Sequence, residues 1–186
     1  MRFDFVIVGA GSAGCALANR LSEDGRYTVA LIEAGPRDTS PWIHIPVGYF
    51  RTMGNPKMDW CYETQEDVGI ANRSIPWPRG RVLGGSSSIN GLLYVRGQAQ
   101  DYDGWAQMGC TGWSWSDVLP YFKRSETWEG ADQTGLRGKS GPLSVQNSRL
   151  TRDVVDKWVD AAVDAGYKRN PDYNGADQEG VGYFQL

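Results

Sequence analysis

Val6-Ile7-Val8-Gly9-Ala10-Gly11-Ser12-Ala13-Gly14 is the stretch whose reading decides the fold. Phe3 to Val8 is a short β-branched-rich run of the kind that forms a buried parallel strand. A turn from Gly9 to Gly14 follows at once and satisfies the spacing G-x-G-x-x-G. Ala13 to Leu21 then places apolar residues at helical spacing, with Asp24-Gly25 to close the helix. Tyr27 to Ile32 reads as a second buried strand ending at Glu33. This order predicts two parallel strands joined by a crossover helix. Gly9 permits the tight turn, Gly11 lets backbone approach a diphosphate, and Gly14 lets the helix pack closely on the strand. Free N–H groups and the positive end of the helix dipole stabilise the anion. Glu33, nineteen residues past Gly14, is placed to accept hydrogen bonds from ribose hydroxyls, and its charge argues against a 2′-phosphate. The fingerprint predicts a dinucleotide and does not by itself separate FAD from NAD.

A chain of 186 residues suffices for one good core, or one domain and part of another. Hydrophobic content of 40% and charged content of 22% are those of an ordinary globular protein. A net charge of −3 removes the electrostatic case for nucleic acid or an acidic membrane surface as partner. Three cysteines, Cys15, Cys61 and Cys110, show neither CxxC nor zinc spacing, which predicts a reduced, cytoplasmic protein with no metal site. The strand beginning at Phe3 leaves no room for a targeting segment. The most apolar region, Phe5 to Leu21, is interrupted by glycines and falls short of a bilayer span.

Outward from the fingerprint the pattern weakens. Residues 36–79 carry prolines at 36, 41, 46, 56, 76 and 78 and read as a long, mostly irregular excursion with extended pieces such as Trp60 to Thr64. Asp101 to Met108 and Trp115 to Ser125 read as helices, the second with Ser114 and Asp117 as a capping box and Pro120 awkwardly inside. Asp101 and Asp103 read as caps and dipole partners rather than a catalytic carboxylate pair. Leu143 to Val145 reads as a strand. Thr151 is the expected cap of an amphipathic helix bearing Val154, Val155, Trp158, Val159, Ala162 and Val163 on one face, with Gly166 as its stop. The strand-like end from Gly180 to Phe184 is expected to pair with chain outside this sequence. Tryptophans 105, 113, 115 and 128 read as packing residues rather than a sugar platform. The single histidine, His44, lies between Ile43 and Ile45 and reads as packed rather than catalytic.

A second glycine cluster, Gly80-Arg81-Val82-Leu83-Gly84-Gly85-Ser86-Ser87-Ser88-Ile89-Asn90-Gly91, is too glycine-rich for a helix interior. Its embedded Val82, Leu83 and Ile89, and the Leu92-Leu93-Tyr94-Val95 run behind it, argue against a flexible linker. The pattern suits backbone pressed against a flat or charged ligand. Arg79 and Arg81 are equally consistent with a phosphate contact or a solvated loop edge.

These residues resemble the glucose–methanol–choline (GMC) oxidoreductases. The N-terminal fingerprint ending in Ile32-Glu33-Ala34-Gly35 is similar to that family's opening. Gly80 to Asp103 resembles its long flavin-proximal motif throughout. Asp59-Trp60-Cys61-Tyr62-Glu63-Thr64, Trp113-Ser114-Trp115, Leu119-Pro120-Tyr121-Phe122 and Gly141-Pro142-Leu143 fall where members carry similar segments. The likeness is strongest to choline-dehydrogenase-like members.

The resemblance implies an α/β, Rossmann-like FAD-binding domain at 1–140 and the beginning of a substrate-binding domain at 141–186, together the N-terminal portion of a longer enzyme. It implies FAD, with Ser12, Ala13, Glu33 and Ala34 beside Gly9, Gly11 and Gly14 around the ADP half. Trp60, Val82, Gly85, Asn90, Gly91, Leu92 and Leu93 would lie along the rest of the cofactor. Members that attach flavin covalently carry a histidine where this sequence has Ile89, which implies a non-covalent flavin. The implied activity is oxidation of a choline-like or other primary alcohol by hydride transfer to flavin N5. The catalytic histidine of the family is expected outside these residues, so the remainder of the enzyme is an expected partner. The alternatives are a non-catalytic FAD- or ADP-binding fragment and a nicotinamide-dependent Rossmann dehydrogenase.

Overall fold

The computed structural model describes residues 2–186, which divide into two compact units, one ending at Leu92 and one running from Leu93 to Leu186. The boundary expected between residues 140 and 141 falls inside the second unit.

In the first unit, β1 (Phe5–Val8) and β2 (Val29–Ile32) pair in parallel, with Phe5 opposite Val29 and Val8 opposite Ile32. They are joined by α1 (Ser12–Ser22). A Cβ on Gly14 would lie 1.9 Å from the Gly9 carbonyl oxygen and 3.4 Å from the Ile7 side chain, so only glycine lets α1 settle on β1. Ile7 on that face is buried, but Val6, Val8 and Ile32 are exposed. The expectation of strands buried throughout is therefore corrected. A parallel sheet needs a layer on each face, and among the described residues α1 covers the Ile7 side.

The stretch from 36 to 79 is more ordered than its composition predicts. It holds two short helices, α2 (Pro41–His44) and α3 (Tyr49–Thr52), and a two-stranded antiparallel ribbon. The ribbon strands are β3 (Tyr62–Glu63) and β4 (Pro76–Trp77). It folds back on the glycine cluster through Leu83 N–H to Pro36 O (2.9 Å) and Arg81 N–H to Met58 O (2.8 Å). Met58, Val82 and Ile89 form the buried core there, with Ile43 packed against them.

In the second unit, α4 (Ala99–Gln107) begins two residues before its predicted start, because Gln98 and Asp101 close a capping box there. The predicted helix at 115–125 is α5 (Trp115–Ser125), with Ser114 and Asp117 as its capping box and Pro120 accommodated within it. Asp103 accepts the Trp115 N–H at 2.9 Å, so both aspartates act at helix starts. Next, β5 (Glu126–Trp128) pairs in parallel with β6 (Leu143–Val145).

The last helix, α6 (Asp153–Asp164), is capped by Arg152 without a side-chain hydrogen bond, not by Thr151. Gly166 ends it at φ +100°, as expected. Its apolar stripe is only partly covered: Val159 is buried, whereas Val154 and Trp158 are 74% and 64% exposed. The C-terminal stretch pairs within its own unit. Tyr94 N–H donates to Gln185 O at 2.9 Å, and Gln146 and Leu186 exchange both backbone hydrogen bonds at 2.9 Å.

A feature with no counterpart in the sequence reading holds this unit together. Glu126 is fully buried and ion-paired to Arg96 (2.6 Å) and Arg137 (2.5 Å). Arg137 also pairs with Asp172 at 2.6 Å, hydrogen-bonds Gln185 Oε1 at 3.0 Å, and lies 3.9 Å from the centre of the Trp128 ring. Asn174 donates to the same Gln185 oxygen at 2.8 Å.

Candidate dinucleotide site

The site is built from the two glycine clusters, both in the first unit. Gly9 adopts φ +95°, a conformation open to glycine with little penalty, and its N–H donates to Ile32 O at 2.7 Å. That bond aims the chain into α1, whose N-cap, Gly11, supplies no side-chain hydrogen bond. The first amides of a helix have no intrahelical partner, so this end presents donors and the positive end of the dipole. The second cluster docks directly on the first: Gly84 N–H donates to Ala10 O at 2.8 Å. A Cβ on Gly85 would lie 2.8 Å from Gly11 Cα. Two backbones approach here at a spacing that side chains would prevent.

A pocket of about 570 Å³ lies over this junction. Val8, Gly9, Gly11, Ile32, Glu33, Ala34, Trp60 and Gly85 border it, together with Tyr62, Arg79, Gly80 and Ser86. A cradle of amides and glycines with a carboxylate at its rim fits a nucleotide diphosphate and its ribose. Glu33 has a further role that spacing did not disclose. Its carboxylate accepts Ala10 N–H at 2.8 Å and Gly35 N–H at 3.0 Å, tying the fingerprint loop to the end of β2. Each carboxylate oxygen keeps a further lone pair free to accept from a ligand hydroxyl.

The structure brings Gly9, Gly11, Glu33, Ala34, Trp60 and Gly85 together on one pocket, with Ser12, Ala13 and Gly14 in the first turn of α1. Val82 contributes no exposed side chain, being packed with Met58 and Ile89. Asn90 turns its Oδ1 to the Leu92 N–H at 3.0 Å, and Leu92 adopts φ +64°. Leu93 is exposed and begins the second unit. His44 is corrected from packed to exposed. Its Nε2 lies 2.6 Å from Asp38 O, and Ile43, not His44, turns into the core. Arg81 reaches Pro56 O at 2.9 Å.

In the second unit, Trp105 and Trp113 meet edge to face with ring centres 6.0 Å apart, and Trp115 tilts against Tyr102 at 5.7 Å. Tyr102, Trp105 and Trp113 border an open apolar cleft of about 710 Å³, while Trp128 is buried under Arg137.

Asp59 was not singled out by the sequence. It is 2% exposed and accepts three backbone N–H groups, from Gly54 (2.7 Å), Cys61 (2.9 Å) and Arg79 (2.9 Å). Burial works against its charge, but these three amides and the Arg79 charge override burial and hold the carboxyl below the usual aspartate range. Because its proton is bound more weakly in the folded chain, its contribution is complete above the ordinary value of 3.8 and is lost as pH falls through the lower folded value. Asp59→Ala is expected to lower stability at neutral pH by about 1–3 kcal/mol, the penalty for orphaned buried amides. Equal denaturation midpoints for the two proteins would count against this role.

A diphosphate-binding glycine turn on a parallel βαβ unit, sealed by a second glycine cluster, defines a Rossmann-type dinucleotide-binding module. The chain belongs to the GMC oxidoreductase family, whose model matches residues 3–186. It is 50% identical over 182 residues to an oxygen-dependent choline dehydrogenase of Brucella anthropi, covering 98% of this chain and 33% of that one. The corresponding enzyme of Rhizobium etli is 46% identical over 185 residues, covering 100% and 34%. The fold matches pyridoxine 4-oxidase from Mesorbium loti with a TM-score of 0.91 at 37% identity, covering 100% of this chain and 36% of that one. An FAD-dependent oxidoreductase from Chaetomium thermophilum matches with a TM-score of 0.76 at 33% identity, covering 89% and 30%. The chain thus spans about a third of the length of these relatives. Among the described residues no helix is long and apolar enough to cross a membrane.

Proposed function

We propose that this chain is the FAD-binding portion of an oxidoreductase that acts on the CH–OH group of a small alcohol, choline or a related primary alcohol. The observation that carries the reading is the docking of Gly84 and Gly85 on Ala10 and Gly11, which builds a two-sided glycine cradle at the start of α1. A simple nicotinamide-binding βαβ unit requires only the first side. In this reading Gly11, Ser12, Ala13 and Gly14 hold the diphosphate through backbone amides, Gly9 shapes the turn that presents them, and Glu33 and Ala34 border the adenosine. Trp60, Val82, Gly85 and Asn90 through Leu93 line the remainder, Val82 through its backbone. The chemistry FAD supplies when bound is acceptance of a hydride from the alcohol carbon. No residue of the chain is assigned as catalytic base, since the single histidine, His44, is engaged with Asp38 and does not border the pocket. The base and most of the substrate pocket are placed in the remainder of the enzyme, the chain's intramolecular partner. The three free thiols suit a reducing compartment, and a cytoplasmic location is the one proposed.

Titration of the chain with FAD tests the reading: tight binding with a shifted flavin spectrum is expected, and binding of NAD in preference to FAD would refute it. Turnover of choline or benzyl alcohol by these residues alone would refute the placement of the base. The flavin is proposed to be non-covalent, because Ile89 offers no nucleophile and its side chain, 2% exposed, is packed against Met58 and Val82. After acid precipitation the yellow colour is expected in the supernatant, and colour retained in the pellet would overturn the proposal.

A further inference from the structure

The ribbon of β3 and β4 carries an aromatic and cationic face that the nucleotide fingerprint does not explain. Tyr62 lies opposite Trp77, Asp59 opposite Gly80, and Trp60 N–H donates to Arg79 O at 2.9 Å. Tyr62 and Trp77 are cross-strand partners on one face of the ribbon, and Trp60, Tyr62 and Arg79 border one pocket. Trp60 and Tyr62 are stacked with ring centres 5.9 Å apart and planes within 2° of parallel. The Arg81 guanidinium lies 5.3 Å from the centre of the Trp60 ring, on its way to Pro56 O. The Arg79 guanidinium lies 5.2 Å from the Trp77 ring and hydrogen-bonds only the adjacent Pro78 carbonyl. Among the described residues no carboxylate forms an ion pair with Arg79.

This face is fixed rather than loose. Buried Asp59 holds the amides of both Cys61, at φ +52°, and Arg79, one on each side of the ribbon. Trp60, Tyr62 and Arg79 border the same pocket as Gly11, Glu33 and Ala34. With a diphosphate at the α1 amides and a ribose at Glu33, the base lies one sugar further on, where the flat surface available in the pocket is the Trp60–Tyr62 pair.

We propose that Tyr62 and Arg79 recognise the AMP half of the dinucleotide, the adenine stacking on the Trp60–Tyr62 pair and the Arg79 guanidinium taking a phosphate oxygen. The inference rests on the dinucleotide reading above and adds two residues with different tasks. An adenine face and an aromatic ring attract through stacking regardless of charge. A guanidinium on phosphate is a charge-assisted contact that salt weakens. The ribbon face therefore separates recognition of the base, by Tyr62, from recognition of the phosphate, by Arg79.

Titration of the chain with ADP and with adenosine, followed by tryptophan fluorescence, tests this at two salt concentrations. Arg79→Gln is expected to weaken ADP binding about 10-fold, leave adenosine binding unchanged and flatten the salt dependence, while Arg79→Lys keeps most of the affinity. Tyr62→Leu is expected to weaken both ligands about 10-fold and Tyr62→Phe neither. If wild-type chain bound neither FAD nor ADP, the dinucleotide reading itself would fall. If it bound ADP and both variants, folded by circular dichroism, bound equally well, only the present inference would fall. Should a variant not fold, wild-type protein decides: a preference for ADP over adenosine that is insensitive to salt overturns the role of Arg79.

Discussion

Replacing Glu126 by alanine is expected to destabilise the second unit by about 3–5 kcal/mol, a large share of the stability of an ordinary domain. The carboxylate is fully buried and is shared by two guanidiniums that are themselves buried, Arg96 and Arg137, with a further hydrogen bond from Gly138 N–H at 2.7 Å. Without it two like charges face one another out of water. Arg137 keeps Asp172, which is partly exposed, but Arg96 keeps no carboxylate, only hydrogen bonds to the Leu136 carbonyl and the Tyr94 hydroxyl and its place over the Phe122 ring. Urea denaturation followed by tryptophan fluorescence reads the effect directly, because Trp128 lies under Arg137. Glu126→Gln preserves the shape but not the charge and should also fall well below wild type. A shift of the Glu126→Ala midpoint corresponding to less than about 1 kcal/mol would show that water or rearrangement rescues the arginines.

The second large effect is expected at Gly14. Alanine there would place a methyl group 1.9 Å from the Gly9 carbonyl oxygen, a rigid backbone atom, so α1 must move away from β1. The helix amides and the Gly9 turn form the diphosphate cradle together, and FAD affinity should fall at least about 100-fold, since misplacing several charge-directed hydrogen bonds removes several kcal/mol. Gly9→Ala is the informative comparison. Nothing lies within 4 Å of a Cβ at Gly9, and the obstacle is its φ of +95° alone. That strain costs about 1–2 kcal/mol, so Gly9→Ala should be the milder variant in both thermal midpoint and FAD titration. The reverse order would mean that close packing of α1 is not what Gly14 provides.

Legibility in the sequence followed sequence separation. The βαβ unit was readable because strand period, glycine spacing and terminal acid lie within one short stretch and each has a local cause. The capping boxes at Gln98–Asp101 and Ser114–Asp117 depend on residues three apart, and Ser114 was found for that reason. Thr151 shows the limit: a threonine before an amphipathic stretch has the right chemistry, yet the chain enters α6 one residue later. The apolar stripe of α6 was identified correctly as a stripe, but whether a stripe is covered depends on which element lies over it.

The fingerprint by itself determined a parallel strand pair, its crossover helix and the glycines that only a close backbone approach explains. These follow from sterics between neighbours in the chain. Tertiary structure alone decided the rest. It docked Gly84 on Ala10, gave Glu33 a second task at the Ala10 amide, and set Asp59 under the ribbon that carries Trp60, Tyr62 and Arg79. It also gathered Arg96, Glu126, Arg137 and Asp172 into one buried network. An isolated charged residue in a sequence reads as solvated, because burying a charge is unfavourable without a partner. The partners here lie 11 to 35 positions away, and no local period announces them.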